Sequence, residues 1–220
     1  LDKAADPHAH AYVCASNVHT VSIARRDASF RRVLNSSFLC VPDGQPLVWA
    51  HRILGGRALP GRVYGPTLML KLCEAAASRG TPVYFYGGAA GVAEKLADVL
   101  KKQFPALQVA GAVSPPFRDG SQQGDAELHR EVDAINRSGA RLLFVALGAP
   151  KQERFMFDFA AKINPLQVGV GAAFDFHTQR VPQAPEWMQH AGLEWFYRFC
   201  AEPRRLWRRY LFYNPYFVAR

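Results

Sequence analysis

Six short apolar runs, separated by segments whose hydrophobic residues recur at helical intervals, predict an α/β sandwich of Rossmann-like type with a mostly parallel sheet. The runs have the length and composition of buried strands. Between them lie amphipathic stretches such as "GVAEKLADVLKKQF" (91–104), where Val92, Leu96, Val99 and Leu100 form one stripe. A chain of 220 residues, about half of them hydrophobic, can fill one substantial core. Gly and Pro are spread between the runs rather than pooled, which argues against disorder, and no internal repeat is visible.

The elements read in order as follows. "AYVCAS" (11–16) is the first strand, and Asn17 follows it as either a helix cap or a ligand contact, with His19 on the helix surface beyond. "FLCV" (38–41) is a buried strand that runs into Pro42, Asp43 and Gly44. A carboxylate on that rigid turn, beside apolar walls, suits a general base; a turn or capping aspartate fits the same three residues. "PVYFYG" (82–87) leads into "YGGAAGVAEKL", where Gly87 and Gly88 permit close backbone approach and Gly91 opens a helix whose amides suit a phosphate. A tight turn with nothing bound fits that pattern too. "LQVAGA" (107–112) ends without the acidic residue that would hold a ribose, so a dinucleotide dehydrogenase is disfavoured. "SPPFRDGSQQGD" (114–125) is a loop by composition.

"RLLFVALG" (141–148) is a strand that ends in Gly148 and Pro150 and then presents Lys151, Gln152 and Glu153 at a helix start. Amides, a cation and an amide side chain together suit a sugar nucleotide, although a solvated first turn would also carry Lys151 and Glu153. "LQVGVG" (166–171) is the last strand. In such sheets ligands collect at the strands' carboxyl ends, where these turns converge.

A formal net charge of +9 and a pI near 9.7 favour an anionic partner. Cys14, Cys40, Cys73 and Cys200 lie far apart without zinc-site spacing, and read as reduced, buried thiols of a cytoplasmic protein. No apolar run reaches the roughly 20 residues of a membrane span. No DxD, HExxH, GxSxG or GxxxxGK[ST] motif is present, so a diphosphate leaving group would be neutralised by helix amides and arginines.

Residues 1–183 form the expected core and 184–220 a separable helical appendage. In that tail Arg204, Arg205, Arg208 and Arg209 share one helical face, while Leu206, Tyr210 and Tyr213 form another stripe. A basic amphipathic helix suits an anionic membrane surface, and its guanidinium groups suit a diphosphate. The competing reading makes the rings a core or oligomer interface and the arginines a solvated face; a tail that something must cover suggests self-association. Nucleic-acid binding is disfavoured, because no recognition motif is present.

The ordered set "PDG" (42–44), "GRVYGPTLM" (61–69), "FYGGAAGVAEKLADVLKKQFPALQVAG" (85–111), "FVALGAPKQE" (144–153), "GVGAAFDF" (169–176), "APEWMQHAGLEWFYRF" (184–199) and "EPRRLWRRY" (202–210) closely resembles the WecG/TagA/CpsF family of bacterial glycosyltransferases. The resemblance covers nearly the whole chain. It implies inverting, metal-independent transfer from a UDP-sugar to a polyprenyl-diphosphate-linked sugar, in surface polysaccharide or teichoic acid assembly, at the inner face of the cell membrane and without a cofactor. It places Asp43 on the family's proposed base, Arg62 and Gln152 on positions that handle donor or acceptor, and Asn17 and Asp175 in turns that resemble its nucleotide pocket. The tail corresponds to the family's C-terminal appendage, held to bring arginines over the diphosphate while touching the membrane. Members usually carry a further strand and helix ahead of the segment that starts here at Leu1, which implies a trimmed N-terminus. Many relatives have Thr where this chain has Ala15, which removes a hydroxyl and shifts the burden to Asp43. The sugar, the acceptor's linkage position and the oligomeric state are not legible from these residues.

Overall fold

Each of the six apolar runs forms a strand, and the chain threads them through helices in the order α1 (Asp2–Ala5), β1 (Tyr12–Ser16), α2 (Val18–Arg26), α3 (Ala28–Asn35), β2 (Leu39–Pro42), α4 (Gln45–Ile53), α5 (Gly65–Arg79), β3 (Val83–Gly87), α6 (Val92–Gln103), β4 (Val109–Val113), α7 (Gln122–Arg137), β5 (Leu142–Ala146), α8 (Lys151–Asp158), β6 (Leu166–Gly169), α9 (Ala173–His177), α10 (Glu186–His190), α11 (Glu194–Ala201) and α12 (Pro203–Arg208). The computed structural model describes residues 1–6, 9–57, 59–116, 122–208 and 217. All strand pairs are parallel, in one sheet of order β2-β1-β6-β5-β3-β4. The expected α/β sandwich is what forms.

Alternation along the central strands divides the core in two. Phe85 and Phe144 point to the face covered by α5, α6 and α9, where they pack with Met69, Leu96 and Phe174. Tyr84, Tyr86, Leu143 and Val145 point to the other face and meet Phe30, Ile135 and Phe155. Because both faces are covered, the strands read as continuous apolar runs rather than alternating ones.

Three local expectations are corrected. Strand β2 is an exposed edge rather than a buried strand: Phe38, Leu39 and Cys40 face solvent because only β1 pairs with it. The four thiols are free, but only Cys14 and Cys73 are buried, while Cys40 and Cys200 are exposed. The expected loop 114–125 ends early, since α7 begins at Gln122; residues 117–121 lie outside the described residues.

The tail's described part is α10, α11 and α12, and it is in contact with the body. Arg62 Nη1 donates to Glu194 Oε2 at 2.8 Å, Arg62 Nη2 donates to Gln189 Oε1 at 3.1 Å, and Leu206 is buried. Arg204 is exposed. The side chains of Arg205 and Arg208, and all of Arg209, Tyr210 and Tyr213, lie outside the described residues.

Candidate functional site

With every strand parallel, all six carboxyl ends fall on one rim, and a cavity of about 1130 Å³ opens there. That exceeds the volume most small-molecule sites need. Of the residues singled out from sequence, Asn17, Asp43, Gly88, Gly148, Lys151, Gln152, Glu153 and Asp175 line it. A recess of about 100 Å³ adjoins it, shares Asn17, Asp43, Tyr64 and Glu194 with it, and adds Arg62. Gly87 underlies this lining: at φ +125, a Cβ there would strike the Ala146 carbonyl oxygen at 2.5 Å, so only glycine lets β3 and β5 run this close into the turn.

Asp43 stands where edge strand β2 turns into α4. Its amide donates to the Ser16 carbonyl at 2.7 Å, which fixes the corner to β1. Its Oδ1 accepts from the amide of Gly65, the first residue of α5, at 2.9 Å. A helix start thus holds the half-buried carboxylate as an acceptor at the cavity wall.

Asn17 is a helix cap, and it stands at the cavity wall. Its Oδ1 accepts from the amides of His19 and Thr20, and Thr20 completes a capping box, while the residue also lines the cavity. His19, on the helix surface, also lines the cavity, because the start of α2 faces the rim.

Gln152 and Glu153 are not a solvated first turn. They are 3% and 1% exposed. Gln152 Oε1 accepts from the Gly171 amide at 3.0 Å, and its Nε2 donates to Glu153 at 3.2 Å, so one side chain bridges the turns after β5 and β6. Gly169 makes room for it, since a Cβ there would lie 2.5 Å from Gln152 Nε2. Lys151, in contrast, is exposed on the cavity lining.

The glycine turn is less open to a ligand than its pattern suggests. The amides of Gly88, Val92 and Ala93 donate to Ala146 O, Ala89 O and Ser114 Oγ. What the turn presents to the cavity is Gly88, Ala89 and Ala90.

Several site residues were missed from sequence. Arg180 and Arg198 both line the cavity; Arg180 pairs with Asp175 at 2.9 Å, and Arg198 lies over the Phe176 ring. Tyr64 accepts a hydrogen bond from Gln183, and Arg62 stacks on its ring at 4.5 Å. Burial, and then the neighbouring Glu194 carboxylate, raises the Tyr64 phenol well above its ordinary value, so it stays protonated. The Arg62–Glu194 pair is shielded, with side chains 17% and 14% exposed, and it joins the tail to the Asp43 corner. Tyr64, Glu194 and Arg198 fall within the family-like segments 61–69 and 184–199, yet nothing local sets them apart, because each is an ordinary Arg, Tyr or Glu until the chain folds.

His177 braces the same corner by hydrogen-bonding the Pro66 carbonyl at the start of α5. Burial lowers its proton affinity below the ordinary 6.5. A folded state that resists protonation loses stability as pH falls from that ordinary value through the depressed one. Melting temperature should therefore decline as pH falls below the ordinary 6.5, and His177→Gln should flatten part of the decline. An identical slope in the variant would exclude His177 as a source.

Among the described residues, no group of three His, Cys, Asp or Glu is placed to hold a metal ion, and no helix is long and apolar enough to cross a membrane.

Comparison with known proteins matches this sequence to a catalytic family. The chain is 30% identical over 215 residues to an N-acetylglucosaminyldiphosphoundecaprenol N-acetyl-beta-D-mannosaminyltransferase of Bacillus spizizenii, covering 97% of this chain and 80% of the relative. A protein of the same name from Bacillus subtilis is 29% identical over 202 residues, 91% of this chain and 75% of its own length. The family model for glycosyl transferases of the WecG/TagA/CpsF type matches residues 1–220. The chain belongs to the WecG/TagA/CpsF family of glycosyl transferases.

Proposed function

We propose that this glycosyltransferase moves a sugar from a UDP-sugar to a polyprenyl-diphosphate-linked acceptor, with inversion and without a metal ion. The observation that carries it is Asp43, anchored by the α5 amide and open to a cavity that also presents Lys151, Arg180 and Arg198. One carboxylate and several cations on one lining are what a displacement at an anomeric carbon needs. Asp43 takes the proton of an acceptor hydroxyl, the freed oxygen bonds to the anomeric carbon, and the bond from that carbon to the UDP oxygen breaks. The departing diphosphate keeps the electron pair, and the cations stabilise its charge.

Gln152 fixes the turns that would hold the nucleotide, while Asn17, Asp175 and Glu153 supply polar groups around it. Arg62 stands in the recess beside Asp43, where it can meet the acceptor. Residues 1–183 would be the transferase core, and 184–220 an arm that brings arginines to the diphosphate at the inner face of the membrane. The relatives' names favour N-acetylmannosamine as the sugar and lipid-linked N-acetylglucosamine as the acceptor.

The test is a donor screen by UDP release, with a short-chain N-acetylglucosaminyl-diphosphate lipid and a chelator present. Release with UDP-N-acetylmannosamine, dependent on the acceptor, is expected. Tight UDP-sugar binding without release for any donor would make the chain a binding module instead.

A further inference from the structure

We propose that the end of α4 and the turn after it form a second bilayer-contact element, on the body rather than the tail, that takes up anionic lipid. The proposal rests on the membrane-linked substrate of the reading above, but its chemistry is independent of the transfer. Helix α4 begins two residues after Asp43 and has no buried residue. At its end Ile53 and Leu54 are 83% and 85% exposed, and Leu59 is exposed beyond them. Adjacent aliphatic chains left this bare on a soluble surface mark a contact site rather than scatter.

The tip is a built turn. Leu54, Gly55 and Gly56 donate their amides to the carbonyls of Ala50, Arg52 and His51, and the His51 ring lies 3.1 Å from the Arg57 carbonyl. Charge selects the occupant. Exposed Arg52 and Arg57 flank the aliphatic tip, and no acidic residue occurs between Asp43 and Glu74. An apolar tip flanked by exposed arginines matches acyl chains beneath anionic headgroups. A second copy of this chain would bring the same arginines against one another, which their charge opposes.

The location has a use. A helix of this length sets its tip about 13 Å from the corner where it starts, so a tip seated in the headgroups would hold Asp43 roughly that far above them. Trp49, midway along α4, packs against Gly192 between α10 and α11, so the tail shares this side of the molecule.

The experiment is co-sedimentation of the full chain with phosphatidylcholine vesicles and with vesicles containing phosphatidylglycerol. Wild type should bind the anionic vesicles and release at high salt. Ile53→Asp with Leu54→Asp should weaken that binding by about tenfold or more, and Arg52→Glu with Arg57→Glu should remove the lipid selectivity. Unchanged binding in both double variants, or no binding by wild type, would overturn the proposal. A fall in oligomeric mass by light scattering in the aspartate variant would overturn it in favour of a second copy. UDP release with a water-soluble acceptor should persist in the aspartate variant; if wild type releases none, the transferase reading fails while the vesicle result stands.

Discussion

Asp43→Asn is expected to lower kcat by about 10²–10⁴-fold, the usual worth of a general base, while leaving the donor KM close to wild type. The substitution isolates the proton. Asparagine retains an oxygen that can accept from the Gly65 amide, and the backbone bond from residue 43 to Ser16 O is untouched, so the corner should keep its shape. What is lost is a group that can take the hydroxyl proton as the oxygen attacks. Initial rates of UDP release, with melting temperature as the control for folding, give the answer. Turnover near wild type in a folded variant would remove Asp43 from the proton path.

The second large effect lies in the core beneath the site. Phe144→Ala should cost about 3–5 kcal/mol of stability, the range for deleting a buried aromatic ring. Phe144 sits on β5 with both neighbouring strands in place, fully buried, and its ring stacks on Phe85 at 5.5 Å. Phe85 in turn meets Phe174 of α9 edge-on at 5.9 Å, and α9 carries Asp175 to the cavity. Removing the Phe144 ring leaves a void in the middle of this stack, which neighbours on two fixed strands cannot collapse to fill. For a chain of this length the loss corresponds to a fall in melting temperature of roughly 6–20 °C. A shift of only a degree or two would mean that the face relaxes more freely than its packing implies.

Burial decided what could be read from sequence. Strands β3 and β5 are covered on both faces, so "VYFYG" and "LLFVA" are apolar without interruption and announce themselves. Strand β2 is no less apolar, yet it lies at an open edge, and local composition cannot distinguish the two. The same limit applies to the site. Asp43, Gly148 and Gln152 were visible because each follows a strand, and the rim of a parallel sheet gathers such residues. Arg62 and Glu194 are separated by 132 positions, and their pairing depends on how the tail lies across the body, for which no local signal exists. Arg198 is hidden in a similar way: among many arginines of a basic tail, only folding singles out one that reaches the cavity.

Since every strand delivers its carboxyl end to the same rim, the turns that feed the strands' amino ends, such as Gly80–Pro82 and Ser138–Arg141, supply no residue to the cavity among the described residues. Gly139 is exposed there, with open space around it. An epitope tag or a fluorophore spliced in at Gly139 would sit at the end of the sheet away from the cavity.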